Sequence, residues 1–272
     1  MPRTTPARRR STPAPADSRF PDLPFPLPRV TAAARRRAAA LLDALAKAFP
    51  DAHCELDYSS PHELLIATIL SAQTTDAAVN KATPALFARF PTPADYARAK
   101  PEDIEPYIRS LGFFRNKARA IHRSMTDVVE RFGGQVPRTM AELLTLHGVA
   151  RKTANVVLGN AFGVNEGIPV DTHVERLAQR YALVKRGTTV QMIERTLMAL
   201  FPRDQWCTAS HRLIWQGRYA CKARCPNGPG GGCYANSICE RFGTACECRG
   251  RRPAPAAPRR ARRPAGRPTG SR

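Results

Sequence analysis

The stretch TMAELLTLHGVARKTANVVLGNAF, residues 139–162, carries two helical patterns broken by a single glycine. Thr139 and Glu142 stand at capping-box spacing, and Leu143, Leu144 and Leu146 follow as an apolar stripe. The run Leu146-His147-Gly148-Val149-Ala150-Arg151-Lys152-Thr153-Ala154 then stops one helix and starts the next. Gly148 permits a tight turn, and the second helix opens with backbone N–H groups that have no partner inside it. Such a hairpin holds a phosphate without reading base sequence. Ala154, Val157, Leu158 and Ala161 give the second helix a face to bury.

Lys152 falls in the first turn of that second helix, where the macrodipole disfavours a cation. Taken alone it reads as a solvent-facing lysine. The alternative is a nucleophile, because the same field favours the neutral amine that such a role requires. A second feature lies downstream, in Pro169-Val170-Asp171-Thr172-His173-Val174. Asp171 stands at a helix N-cap position, and Val174, Leu177, Ala178 and Tyr181 form the apolar face behind it. Capping and a chemical role are compatible, since an N-cap aspartate is both ionised and fixed.

Working outward, helical periodicity continues over residues 31–48, 61–70, 76–90, 101–111, 116–132, 171–183, 188–200 and 207–220. Period-two alternation is scarce and connections are short, so the fold class is all-α. No simple internal repeat is present. Residues 1–30 and 249–272 are rich in Pro, Arg and Ala, lack an apolar period, and are expected to be disordered basic tails. Their use is phosphate contact or solubility.

The chain carries a formal charge of +21 over 272 residues, of which +4 lies in residues 1–30 and +9 in residues 249–272. A basic body with basic tails points first to nucleic acid, and otherwise to general solubility or an anionic membrane surface. No apolar run is long enough to cross a bilayer, and the N-terminus lacks the apolar core of a secretory signal. The expected location is intracellular, in the cytoplasm at the nucleoid, with no membrane partner. Of eight cysteines, six lie between Cys221 and Cys248, a density that reads as metal or cluster ligation in an intracellular protein. Cys54 and Cys207 stand apart and are expected to be buried free thiols.

The lysine-bearing hairpin, the Val170-Asp171-Thr172-His173 stretch and the C-terminal cysteines together resemble the endonuclease III family of DNA glycosylase/lyases. The resemblance spans about residues 33–240. It implies a two-lobed helix-hairpin-helix glycosylase fold, with residues 55–164 as a six-helix lobe and residues 31–54 with 165–248 as a [4Fe-4S] cluster lobe. It also implies a monomer acting on double-stranded DNA that carries a damaged pyrimidine or an abasic site. The damaged base is rotated out of the duplex, Lys152 attacks C1′ of its sugar, and the base leaves. Asp171 stabilises the cationic sugar, and β-elimination from the resulting Schiff base cuts the strand on the 3′ side.

The resemblance assigns further residues. Gln73 matches the glutamine that fills the gap left by the flipped base, and Asp76 a pocket-side aspartate. Leu111-Gly112-Phe113-Phe114-Arg115-Asn116-Lys117 matches a second DNA-facing turn, with Phe113 as wedge or core residue and Lys117 facing DNA. The hairpin residues His147, Gly148, Val149, Ala150, Arg151 and Thr153 are expected at the backbone, together with His173, Arg218 and Lys222. His147 and Ala150 depart from the family's proline and glycine. Cys221, Cys225, Cys233 and Cys239 match the cluster ligands, with zinc as the alternative. The intervals between the first three differ from the family's usual six and two, and Cys246 or Cys248 could replace a ligand. Competing functions are a mismatch adenine glycosylase, a glycosylase for another lesion, and a noncatalytic helix-hairpin-helix DNA binder. Lys152 together with Asp171 argues against the last, because a phosphate clamp needs neither.

Overall fold

A computed structural model describes residues 20–224 and 237–242; Cys225, Cys233, Cys246, Cys248 and the outer parts of both tails lie outside the described residues. Every regular element among the described residues is helical, and none is long and apolar enough to cross a membrane. Helix α2 (Pro61–Leu70) buries every residue from Leu64 to Leu70, which requires neighbours on all sides. Those neighbours come from α3 (Asp76–Arg89), α6 (Phe114–Phe132) and α8 (Arg151–Ala161), while α4 (Pro93–Arg98) and α5 (Pro101–Ile108) pack on α6. The short α7 (Met140–Leu143) leads into the hairpin ahead of α8. Together these helices enclose a first core running from Leu56 to Leu158.

A second core forms from the two ends of the described chain. Helix α1 (Ala32–Ala48) packs on α10 (Val190–Leu200), α11 (Trp206–Trp215) and α12 (Ser237–Phe242). Helix α9 (Thr172–Arg180) joins them, and a π-helical turn, Gln216–Ala220, continues α11. For residues 20–30, the described part of the N-terminal tail, the expectation of disorder is corrected. Leu27 is buried in this core, the Phe20 ring lies 5.3 Å from that of Trp206, and Asp22 forms an ion pair of 2.6 Å with Arg203. Phe20, Leu23, Phe25 and Leu27 supply the apolar surface that the Arg/Pro-rich composition conceals.

The two cores meet where α11 touches α8. His211 of α11 donates from Nε2 to Asn160 Oδ1 of α8 at 2.7 Å, with the Cys207 thiol 3.6 Å from the same nitrogen. A side chain at Gly159 would collide with Cys207, so the glycine sets how closely α8 and α11 approach. Burial pushes the Cys207 thiol up to about 11 and the Cys54 thiol above its ordinary value, which keeps both protonated. The same burial, with His53 adding to it, pulls the His211 imidazole down to about 4.

Between about pH 6.5 and 4 the unfolded chain therefore binds the His211 proton and the folded chain does not. The stability from neutral His211 is complete above its unfolded value and is lost as pH falls through this window. In a histidine-resolved NMR titration, His211 is expected to stay neutral down to about pH 4. A midpoint near the ordinary histidine value would contradict the buried seam.

Candidate active site

The N-termini of α8 and α9 converge on one cleft of about 710 Å³. Its walls include Lys152 of α8, Asp171 at the head of α9, the Gln73–Asp76 stretch and the Arg218–Tyr219 pair. A smaller chamber of about 90 Å³ shares Asp76, Lys152 and Asp171 with the cleft and reaches back to Cys54, Ser210 and His211.

Lys152 is exposed in the first turn of α8, as its sequence position predicts. The chain reaches that helix through Gly148, whose φ of +76° and 3.2 Å clearance to Ala120 Cβ both disfavour a side chain. Asp171 caps α9: its Oδ1 accepts from the backbone of His173 at 2.9 Å and of Val174 at 2.8 Å. The carboxylate is thus held in one orientation at the rim of the cleft.

Asp76 lies in the first turn of α3, and burial raises its pKa, with the nearby Asp171 charge adding and Lys152 and His173 opposing. It accepts from Arg218 Nη2 at 2.6 Å. Arg218 also pairs with Glu55, which takes a further hydrogen bond from the Tyr219 hydroxyl. The expectation that Arg218 faces the DNA backbone from a basic loop is corrected accordingly, since two carboxylates draw it into the cleft wall. Glu55 and Asn80, whose amide donates to the Glu55 carbonyl at 2.7 Å, also line the cleft and went unsuspected in the sequence. Their signal is long-range pairing, which no local motif reports.

Gln73 and Phe113 occupy the left-handed backbone region, at φ +55° and +58°, and both side chains are exposed. Phe113 is 66% exposed whereas Phe114 packs on the first core, so of its two sequence readings the core position belongs to Phe114. Lys117 does not face outward as expected. It is buried and donates from Nζ to Thr74 Oγ1 at 2.6 Å, tying α6 to the Gln73 turn. Burial draws its pKa down.

The hairpin is divided between two faces. His147, Gly148 and Ala150 are exposed and Thr153 is half-buried. Val149 is buried in the first core, with its N–H given to the Leu146 carbonyl at 3.3 Å, so it offers no donor to a ligand. Arg151, also expected at a phosphate, turns instead to Glu194 of α10, with Nε–Oε1 at 2.9 Å. Ala150 supplies no side-chain cap, so the first-turn N–H groups of α8 stay unspent within the helix. His173 lines the cleft with Nδ1 3.3 Å from Arg176 Nη2.

Cys221 and Cys239 are buried together beside Tyr181 and Gln216. Cys221 Sγ accepts from Arg180 Nη1 at 3.2 Å and Cys239 Sγ from Gln216 Nε2 at 3.3 Å. Hydrogen bonding from Cys239 and the Arg180 guanidinium lowers the Cys221 pKa. Arg180 also grips the Lys222 and Ala223 carbonyls at 2.7 and 2.8 Å, leaving the Lys222 side chain exposed. Two sulfurs that accept N–H donors beside a cation suit thiolate ligation of a cluster or metal.

Residues 66–203 match the family described as "HhH-GPD superfamily base excision DNA repair protein". Endonuclease III of Synechocystis sp. is 52% identical over 198 residues, covering 73% of this chain and 90% of that protein. A solved non-covalent endonuclease III–DNA complex superposes with a TM-score of 0.72 at 44% identity, covering 80% of this chain and 97% of the other. A trapped endonuclease III–DNA covalent intermediate, an estranged-adenine complex, gives 0.68 at 47% identity over 74% and 94% of the two chains. An all-helical fold, a cleft between two helix N-termini and this degree of identity agree: the chain belongs to the endonuclease III family, within the HhH-GPD superfamily of base excision DNA repair proteins.

Proposed function

We propose that the chain is a bifunctional DNA glycosylase and abasic-site lyase that removes damaged pyrimidines from double-stranded DNA. The observation that carries this reading is the placement of Lys152 and the capped Asp171 on one cleft, each at the start of a helix. That a similar endonuclease III has been trapped in a covalent intermediate with DNA supports a covalent route here.

Lys152, as the neutral amine, attacks C1′ of the flipped nucleotide; the bond from C1′ to the base breaks and its electron pair leaves with the base. Asp171 carries the negative charge that stabilises the cationic sugar. The Lys152 nitrogen then loses a proton as the C1′–O4′ bond breaks and the ring oxygen takes a proton, which gives an imine at C1′. Loss of a C2′ proton drives β-elimination, and the 3′ C–O bond breaks with its electron pair leaving on the phosphate. Asp76, its pKa raised by burial, stands at the pocket as a hydrogen-bonding partner for a base. The open N–H groups at the start of α8, with Gly148 and Ala150, take the phosphate backbone. His147, Thr153, His173 and Lys222 add contacts around it, while Val149, Arg151, Lys117 and Arg218 act by holding the protein side in shape.

Cys221, Cys225, Cys233 and Cys239 would hold a [4Fe-4S] cluster, and Cys221 and Cys239 are built for it by their burial and N–H donors. When bound, such a cluster pins the C-terminal loop and offers one-electron chemistry. The holoprotein is expected to be brown and to contain iron and sulfide; a colourless protein with stoichiometric zinc would replace the cluster by a tetrahedral site.

Incubation with a duplex containing one thymine glycol, followed by borohydride, is expected to leave a covalent adduct. Lys152→Ala should abolish the adduct and slow release of the base by roughly a thousand-fold or more. Asp171→Asn retains a side-chain acceptor for the cap and should keep the fold while losing on the order of 100-fold in rate. An adduct surviving in Lys152→Ala would assign the nucleophile elsewhere. Phe113→Ala and Gln73→Ala are expected to weaken lesion-duplex binding by about ten-fold each, as loss of a stacking or gap-filling contact does. Melting temperature should stay unchanged, because both side chains are exposed. A lowered melting temperature with unaltered binding would return Phe113 to a structural role.

A further inference from the structure

Helix α8 begins without the usual electrostatic compensation. Ala150 at its N-cap offers no side-chain acceptor, and its first turn contains no acid. Arg151 and Lys152 then place two cations where the helix dipole is already positive. Left so, this turn would fray at the lysine on which the proposed chemistry depends.

Compensation arrives from the second core. Glu194 of α10 is buried, and both its carboxylate oxygens accept from Arg151 Nε, at 2.9 and 3.1 Å. Its Oε1 also accepts from Asn155 Nδ2 at 2.9 Å. Arg151 and Asn155 lie one helical turn apart, so one carboxylate spans the turn that contains Lys152. Arg151 Nη2 extends to the Glu166 carbonyl at 3.0 Å. The Phe25 ring takes the Arg151 guanidinium at 4.8 Å and that of Arg195 at 4.4 Å. A side chain at Gly167 would collide with both the Glu194 carboxylate and the Asn155 amide, so backbone closes the remaining side. Surface lysine or arginine pairs at a helix start contribute little; here the Glu194 carboxylate is buried while the Arg151 side chain is 26% exposed, so losing the arginine strands a buried charge.

We propose that Glu194 is a positioning residue for the lyase reaction: through Arg151 and Asn155 it fixes the first turn of α8 and thereby holds Lys152 to the cleft. The inference rests on the reading of Lys152 as nucleophile. It joins the catalytic turn to the opposite core, so the geometry of the site depends on a contact that touches neither DNA nor the reacting atoms.

The test uses the full chain with its cluster and a duplex bearing a preformed abasic site. Glu194→Gln keeps side-chain volume and removes the charge that balances Arg151. The single-turnover rate of borohydride trapping is expected to fall about ten-fold or more, as a small displacement of a reacting group does. DNA affinity should stay within about two-fold, which separates positioning from binding. Amide hydrogen exchange over residues 151–155 should accelerate, with the rest of the chain unchanged. Arg151→Gln breaks the same contact from the other side and should give the same split, which covers a Glu194 variant that does not fold. A trapping rate within about two-fold of the unsubstituted protein in a folded variant overturns the proposal, as does a rate that falls only in step with affinity. Absence of any adduct with the unsubstituted protein instead overturns the assignment of Lys152 and takes this inference with it.

Discussion

Two helices direct their N-termini at the same cleft, and each N-terminus carries about half a positive charge that must be balanced or used. The protein does the first at α9 and the second at α8. Asp171 closes α9 with two backbone hydrogen bonds and so is held in place beside the cleft. Ala150 leaves α8 open, which makes its N–H groups available to an anion, and the first turn itself carries no acid. The cost of that openness is met from a distance by Glu194.

Because the balancing charge comes from the opposite core, the seam between the cores becomes part of the site. The same seam carries His211 on Asn160, the close approach at Gly159, and the Arg218 bridge between Glu55 and Asp76. These contacts use short reach and buried polar groups, which fix geometry better than apolar packing alone. The chemical groups themselves sit at the edge of this framework and remain open to solvent.

Backbone strain appears on the exposed turns. Gln73 and Phe113 adopt left-handed backbone conformations that cost non-glycine residues about 1 kcal/mol or more. Neither side chain recovers that cost by burial. Lys117, buried beneath, ties the Gln73 turn to the helix that starts after Phe113. Strained, exposed residues held from behind are suited to insertion into a partner rather than to stability of the free protein.

Much of this was determined by the sequence alone. The helical periods predict the all-α class, the break at Gly148 predicts the hairpin and puts Lys152 in the first turn after it, and Asp171 at the start of α9 follows from its capping chemistry. These are local properties, and local chain chemistry enforces them. Tertiary structure decided where the long side chains went. Arg151, Lys117 and Arg218 read as DNA-facing cations, yet each is drawn to a partner 43 to 163 residues away in sequence. Residues 20–30 likewise read as tail by composition, while four apolar side chains find a core made by distant helices. The first turn of α8 shows the division most clearly: sequence places the lysine there, and only packing against α10 supplies the charge that holds it, because electrostatic balance acts through space and leaves no periodic mark along the chain.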